Sequence, residues 1–304
     1  MTLTEHARLT LRRQIEHLES QLALALQDPG EDPVHDFRVA IRRLSQSFRI
    51  FATLFPQRDA RRYRHALKPA MDAAAVVRDI DVDSALLLKL GLPEAHPLLA
   101  RMQADRQRAA FAFTGQLYLL RAQDLPLSWL QPVDLLVETA EDAPTIARTI
   151  LPDLAADFFK AGRKTTLRAA APERLHSFRL VAKRFRYTLE VFRPFYGPVF
   201  DQRIEQVREI QSILGRRQDC TVTAAILQPL APVDLALQQA LEAVSARAAT
   251  LDGEFLLYWN SHFDAEGQEL LWSRYLSRRP IVRHPRSAPA PRPPAAPTPR
   301  RRAK

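Results

Sequence analysis

The chain predicts an all-α fold in which one helical unit is used twice. Three observations carry this expectation. Apolar residues recur at helical spacing almost throughout, no convincing alternating strand occurs, and a histidine-led basic stripe returns after 141 positions. The stripes are His35, Arg38 and Arg42, and then His176, Arg179 and Lys183. Their i, i+3, i+7 spacing puts each set on one helical face.

The elements follow in order, with ends uncertain by a few residues. An amphipathic helix is expected over about 4–28. The next, about 34–55, has apolar residues Phe37, Ile41, Leu44, Phe48, Phe51 and Phe55 stepping by four and three; Pro33 stands near its start and Pro56 closes it. Helices are expected over about 58–76 and, after Arg78-Asp79, over about 81–91, with Asp79 and Asp81 as N-caps. A long helix over about 97–121 completes the half. A connector from Asp124 to Pro144, rich in leucine and acids, has room for a short helix.

The second half repeats the order over about 145–169, 173–195, 199–214, 220–229 and 234–260. Phe178, Ala182, Phe185, Leu189 and Phe192 keep the same rhythm between Pro172 and the Pro194–Pro198 region. Arg78-Asp79-Ile80-Asp81-Val82 aligns with Gln218-Asp219-Cys220-Thr221-Val222 at an offset of 140. One domain over 1–277 is expected, with halves at about 1–140 and 141–277. From 278 to 304 prolines, arginines and alanines replace the apolar period, the composition of a disordered basic tail.

Composition narrows the function. Of the net charge of +10, nine positive charges lie from Arg278 onward, so the body is nearly neutral and its basic stripes are local. Glycine is scarce, at 8 residues, and neither GxGxxG nor GxxxxGK[ST] is present. A phosphate site would therefore be made from side chains. The single cysteine, Cys220, excludes an internal disulfide framework and reads as core filler. No stretch approaches a transmembrane span, so a soluble protein of a reducing compartment is expected.

Two matched cationic ridges imply an anion between them. His35, Arg38, Arg42, His176, Arg179 and Lys183 are the leading candidates. Lys68 and Arg208 recur on the third helix of each half; Arg64, Arg78 and Arg217 are further candidates, Arg217 as a substitute for the Gln218 that matches Arg78. Arg43 and Arg184 project off the ridge and are expected to pair with Asp79 and Asp219. Either histidine form can donate a hydrogen bond to phosphate. A metal site is disfavoured because the positions around both histidines are cationic. Asp79, Asp81 and Asp219 form no carboxylate cluster of the kind phosphate hydrolysis requires, so no catalytic residue and no cofactor are expected.

These residues resemble the CHAD family, the conserved histidine α-helical domain. The resemblance rests on VHDFRVAIRRL at 34–44, LHSFRLVAKRFRYTLE at 175–190, VRDIDV at 77–82 and LGRRQDCTV at 214–222, and spans about residues 4–277. It implies two pseudo-symmetric four-helix bundles around a basic central cavity, binding of inorganic polyphosphate, and association with polyphosphate granules in the cytoplasm. Arg186 then joins the site residues, because the family usually has arginine at that place in both halves. Here the first half has Ser45, so the Ser45 side is expected to be the weaker. Ala75 likewise stands where the second half has Gly215. The alternatives are a nucleic-acid binder helped by the basic tail, against which the lack of aromatics among the basic residues counts, and a metal-dependent phosphohydrolase.

Overall fold

The computed structural model describes residues 1–56, 60–166 and 172–278; the expected tail lies almost wholly outside them. The fold is all-α. The first group of helices is α1 (Leu3–Gln27), α2 (Glu31–Ile50), α3 (Ala60–Lys89) and α4 (Pro97–Ala122). After the short α5 (Leu130–Asp134) come α6 (Ala143–Thr166), α7 (Pro172–Phe192), α8 (Val199–Leu227), α9 (Leu235–His262) and α10 (Gln268–Leu276). Within each group successive long helices pack side by side, and α10 returns to pack on α6. The groups meet where α2 lies on α7 and α3 on α8.

Local chemistry starts the helices where needed. Thr2 and Glu5 form a reciprocal capping box on α1, with Glu5 N–H donating to Thr2 Oγ1 at 3.2 Å and Thr2 N–H to Glu5 Oε2 at 2.8 Å. Asp234 caps α9 by accepting from the amides of Ala236 and Leu237. His96 caps α4 ahead of Pro97; its Nδ1 accepts from Leu98 N–H, and Nε2 reaches Asp234 at 3.1 Å, joining α4 to the start of α9.

Two aromatic clusters fill the groups. Phe48, Phe55, Tyr63 and Trp129 pack in the first. Phe158, Phe178, Phe185, Trp259, Phe263 and Trp272 pack in the second. Gly162 lets α6 approach α9: a Cβ there would lie 1.9 Å from the Trp259 ring.

Polar groups stitch the two groups together. His6 on α1 is buried against Phe51, Phe192 and Phe195 and donates from Nε2 to the Val191 carbonyl at 3.0 Å. Gln46 on α2 donates to Thr188 on α7 at 3.1 Å, and Thr223 on α8 donates to Asp83 on α3 at 2.6 Å, both buried. The chain start also pairs with the connector, where Leu3 N–H donates to the Glu141 carbonyl at 2.8 Å.

Several boundaries differ from expectation. The helices expected over 58–76 and 81–91 are one helix, α3, and those over 199–214 and 220–229 are one helix, α8. Asp79, Asp81 and Asp219 are therefore mid-helix and cap nothing. Asp81 instead accepts from Arg106 Nε on α4 at 2.7 Å. The ends of the expected 34–55 and 173–195 helices are short 3-10 turns at Ala52–Leu54 and Arg193–Phe195. Helix α10 was not expected.

Candidate functional site

Helices α2 and α7 carry the two stripes, and their packing decides where the cations go. On α2, Phe37, Ile41, Leu44 and Phe48 are buried, which turns Arg38 and Arg42 toward the α2–α7 boundary. On α7, Phe178, Ala182 and Phe185 do the same for Arg179 and Lys183. The stripes converge. Arg38 and Arg42 act electrostatically on Lys183, Arg42 acts on Arg179, and Arg179 acts on Arg38 across the boundary.

The electrostatics of the cluster are adverse. Burial first, then Arg42, Arg78 and Arg179, bring the Arg38 guanidinium down to a pKa of about 10, against some help from Asp79. Arg38 is 8% exposed, and among the described residues its one side-chain hydrogen bond is a 3.4 Å contact to the Met71 carbonyl. Arg179 is lowered in the same direction by burial, partly offset by Asp219, and its Nε is buried with no partner among the described residues. Lys183 is pushed down to about 7 by burial and by Arg179, Arg42, Arg38 and Arg186. Among the described residues no carboxylate forms an ion pair with Arg38, Arg42, Arg179 or Lys183.

The histidines sit at the exposed end of the stripes. Partial burial, with Arg78, Arg42 and Arg38 nearby, lowers the His35 pKa below its usual value. Arg78 is half-buried beside this end and pairs with Glu31 at 2.5 Å. Asp79, exposed, and Asp219, half-buried, act on the cluster electrostatically, and Asp83 is buried near them. Burial raises the Asp83 carboxyl to about 6 despite the Thr223 hydrogen bond, and it raises Asp219 despite Arg179. Arg179 lies over Gly215 on α8, its guanidinium 3.8 Å from where a Cβ would stand, an ordinary contact distance.

Other candidates fall outside the cluster. Arg217 turns to α9, donating to Asp252 at 2.8 Å and to Thr221 at 2.6 Å. Arg208 is exposed and held by both carboxylate oxygens of Glu205. Lys68 is exposed and paired with Asp72. Arg64 lies over a separate concavity of about 240 Å³ between α2 and α3. Arg186 is next to Lys183 yet buried, donating to Glu190 and to Gln211, with its guanidinium 4.4 Å from the Tyr187 ring centroid. Arg43 pairs with Glu190 at 3.3 Å rather than with Asp79, and Arg184 makes no ion pair with Asp219. Cys220 is buried in the core as expected.

A concavity of about 940 Å³ lies beside the ridges among α1, α7 and α8. Its acids are already engaged: Glu190 by Arg43 and Arg186, Asp201 by Arg193, and Glu205 by Arg208. Among the described residues no group of three or more His, Cys, Asp or Glu side chains is arranged to hold a metal ion, and no helix is long and apolar enough to cross a membrane.

Known proteins bear on the arrangement at the level of fold and family. A crystal structure of the CHAD domain from the plant Ricinus communis superposes with a TM-score of 0.58 at 24% identity, covering 92% of this chain and 94% of that one. PptA from Streptomyces chartreusis superposes with a TM-score of 0.58 at 17% identity, covering 86% of this chain and 100% of that one. No curated protein matches the sequence. The CHAD domain family model matches residues 9–228, which takes in both stripes and most of the helices that position them. The chain therefore belongs to the CHAD domain family.

Proposed function

We propose that the protein binds inorganic polyphosphate without turning it over, through the α2–α7 cluster, and resides at polyphosphate granules in the cytoplasm. The observation that carries this reading is the set Arg38, Arg42, Arg179 and Lys183, drawn from two helices, partly desolvated and without an ion-paired acid among the described residues. Gathering like charges away from water opposes folding, and such strain concentrates at functional sites. An anion with many equivalent charges would relieve all four at once. Guanidinium groups suit phosphate oxygens, and Arg179 is spent on no ion pair among the described residues.

A non-catalytic role fits the acids nearby. Asp83 is committed to Thr223, while Asp79 and Asp219 serve as counter-charges to Arg38 and Arg179. They are not grouped to hold the cations that assist phosphate hydrolysis.

The test is titration of long-chain polyphosphate into the full chain and into the Arg38→Glu/Arg179→Glu variant at fixed ionic strength. Charge-assisted hydrogen bonds contribute about 1.5–3 kcal/mol each, so losing two is expected to weaken binding by about a hundredfold or more. Affinity should also fall steeply with salt. Equal affinity of the variant, with an unaltered helical circular dichroism spectrum, would refute the assignment. Competition by DNA or RNA at matched phosphate concentration separates this reading from nucleic-acid binding.

A further inference from the structure

The two walls flanking the α2–α7 cluster occupy equivalent places in their helices but differ in charge. On the α2–α3 wall, a concavity of about 240 Å³ is lined by Ser45, Arg49, Arg64, His65 and Lys68, among others. Arg64 has its pKa lowered by burial and then by Arg49 and Arg61, so three arginines repel one another there. The Nε of Arg64 is buried and unpartnered. Lys68 is satisfied by Asp72. Among the described residues no carboxylate pairs with Arg49 or Arg64, which leaves their charge for something else.

The α7–α8 wall has the corresponding positions neutralised from within. Where α2 has Ser45 and Arg49, α7 has Arg186 and Glu190, and these two bind each other. Glu190 also takes Arg43 from the facing helix. Ile204, buried, stands in the place of Arg64, and Arg208 in the place of Lys68 is closed by Glu205. The extra arginine of this wall therefore adds no free charge. The small Ser45 leaves its own wall open.

Resting on the polyphosphate reading, we infer that the anion track is one-sided: it leaves the α2–α7 cluster across the α2–α3 wall, over Ser45 to Arg49 and Arg64. Arg38, Arg42, Ser45 and Arg49 share one face of α2 at steps of four, three and four. With a helical rise of 1.5 Å per residue, Arg38 to Arg49 spans about 16 Å along the axis. An extended polyanion lying on that face meets cations continuously, whereas one turned the other way meets Glu190 and Glu205. The second subsite belongs to long chains, because a short oligophosphate seated on Arg38 and Arg179 does not reach it.

The experiment compares Arg49→Ala/Arg64→Ala with Arg208→Ala, titrating each with long-chain polyphosphate and with tripolyphosphate over a range of salt. Both sets of side chains are at the surface or only half-buried, and thermal melting verifies the fold of each variant. Loss of Arg49 and Arg64 is expected to weaken long-chain binding by about tenfold, on the scale of one or two screened charge-assisted contacts. Their removal should weaken tripolyphosphate binding far less and reduce the salt slope by about two. Arg208→Ala should match the unaltered chain, and Arg49→Lys/Arg64→Lys should restore most of the long-chain affinity. An equal loss from Arg208→Ala, or no loss from Arg49→Ala/Arg64→Ala, overturns the one-sided track. If Arg38→Glu/Arg179→Glu abolishes binding in the same assay while Arg49→Ala/Arg64→Ala does nothing, the track fails and the polyphosphate reading stands. If neither double variant has an effect, both fall.

Discussion

Replacing Lys183 with arginine should remove most of the pH dependence of polyphosphate binding above neutrality. In the free protein the Lys183 ammonium titrates at about 7, held there by burial and by four neighbouring arginines. An anion laid on the cluster counters the repulsion and restores a lysine toward its ordinary pKa of about 10.4. Binding then takes up a proton wherever the bound form holds it and the free form does not. The favourable contribution is complete below about pH 7 and is lost as pH rises from there toward the bound value. With those two values the affinity falls by about tenfold between pH 6 and pH 8. Calorimetry in two buffers of different ionisation heat, at constant ionic strength, reads both the affinity and the proton uptake. An arginine at position 183 stays charged across this range. The residual pH dependence of Lys183→Arg would come from the ligand's terminal phosphates and from His35, whose pKa, lowered by burial and nearby arginines in the free protein, leaves it a proton to take up when an anion binds. Identical pH slopes for the two proteins would refute the reasoning.

The remaining predictions concern the anion site and the scaffold. Arg38→Glu/Arg179→Glu should bind polyphosphate about a hundredfold more weakly in the same calorimeter, and Arg49→Ala/Arg64→Ala about tenfold more weakly for long chains only. His6, buried and lowered to about 4 chiefly by desolvation, stays neutral in the fold while the unfolded chain takes a proton below about 6.5. Stability should therefore fall by about 3 kcal/mol as pH drops from 6.5 to 4, and His6→Gln, which keeps a donor for the Val191 carbonyl, should show a shallower acid slope in chemical denaturation. Gly162→Ala forces a methyl group into the Trp259 ring, and overpacking of this kind costs about 1–3 kcal/mol; a lower melting temperature with unchanged polyphosphate affinity is the expected result.

The ridge helices were legible because their apolar and cationic residues repeat at spacings that only a helix satisfies. Phe37, Ile41 and Leu44 lock one face inward, and Arg38 and Arg42 follow. Helix ends were less legible. The Arg78–Asp83 and Gly215–Asp219 segments look like caps and turns in sequence, yet both continue helical; in the first, tertiary partners take up the acids, Arg106 for Asp81 and Thr223 for Asp83. The Ser45 side was expected to be the weaker for want of an arginine; in the structure the arginine on the other side, Arg186, pairs with Glu190 one turn along α7, a spacing visible in the sequence, while Arg49 and Arg64 pair with no carboxylate among the described residues. Pairs made across helices are less legible. Arg217 and Asp252 are 35 residues apart, and nothing local marks them as a pair.

The seat of His6 has a consequence for how the chain is made. Its imidazole belongs to a helix made well before α7, and the carbonyl it requires is 185 residues downstream. Until Val191, Phe192 and Phe195 have been translated, that ring has Phe51 beside it but neither its acceptor nor its other two aromatic walls, and the nascent α1 presents an unsatisfied polar group on its apolar side. Consolidation of the earlier segment thus waits for the later one, and ribosome-bound chains halted before residue 191 should leave α1 accessible to protease.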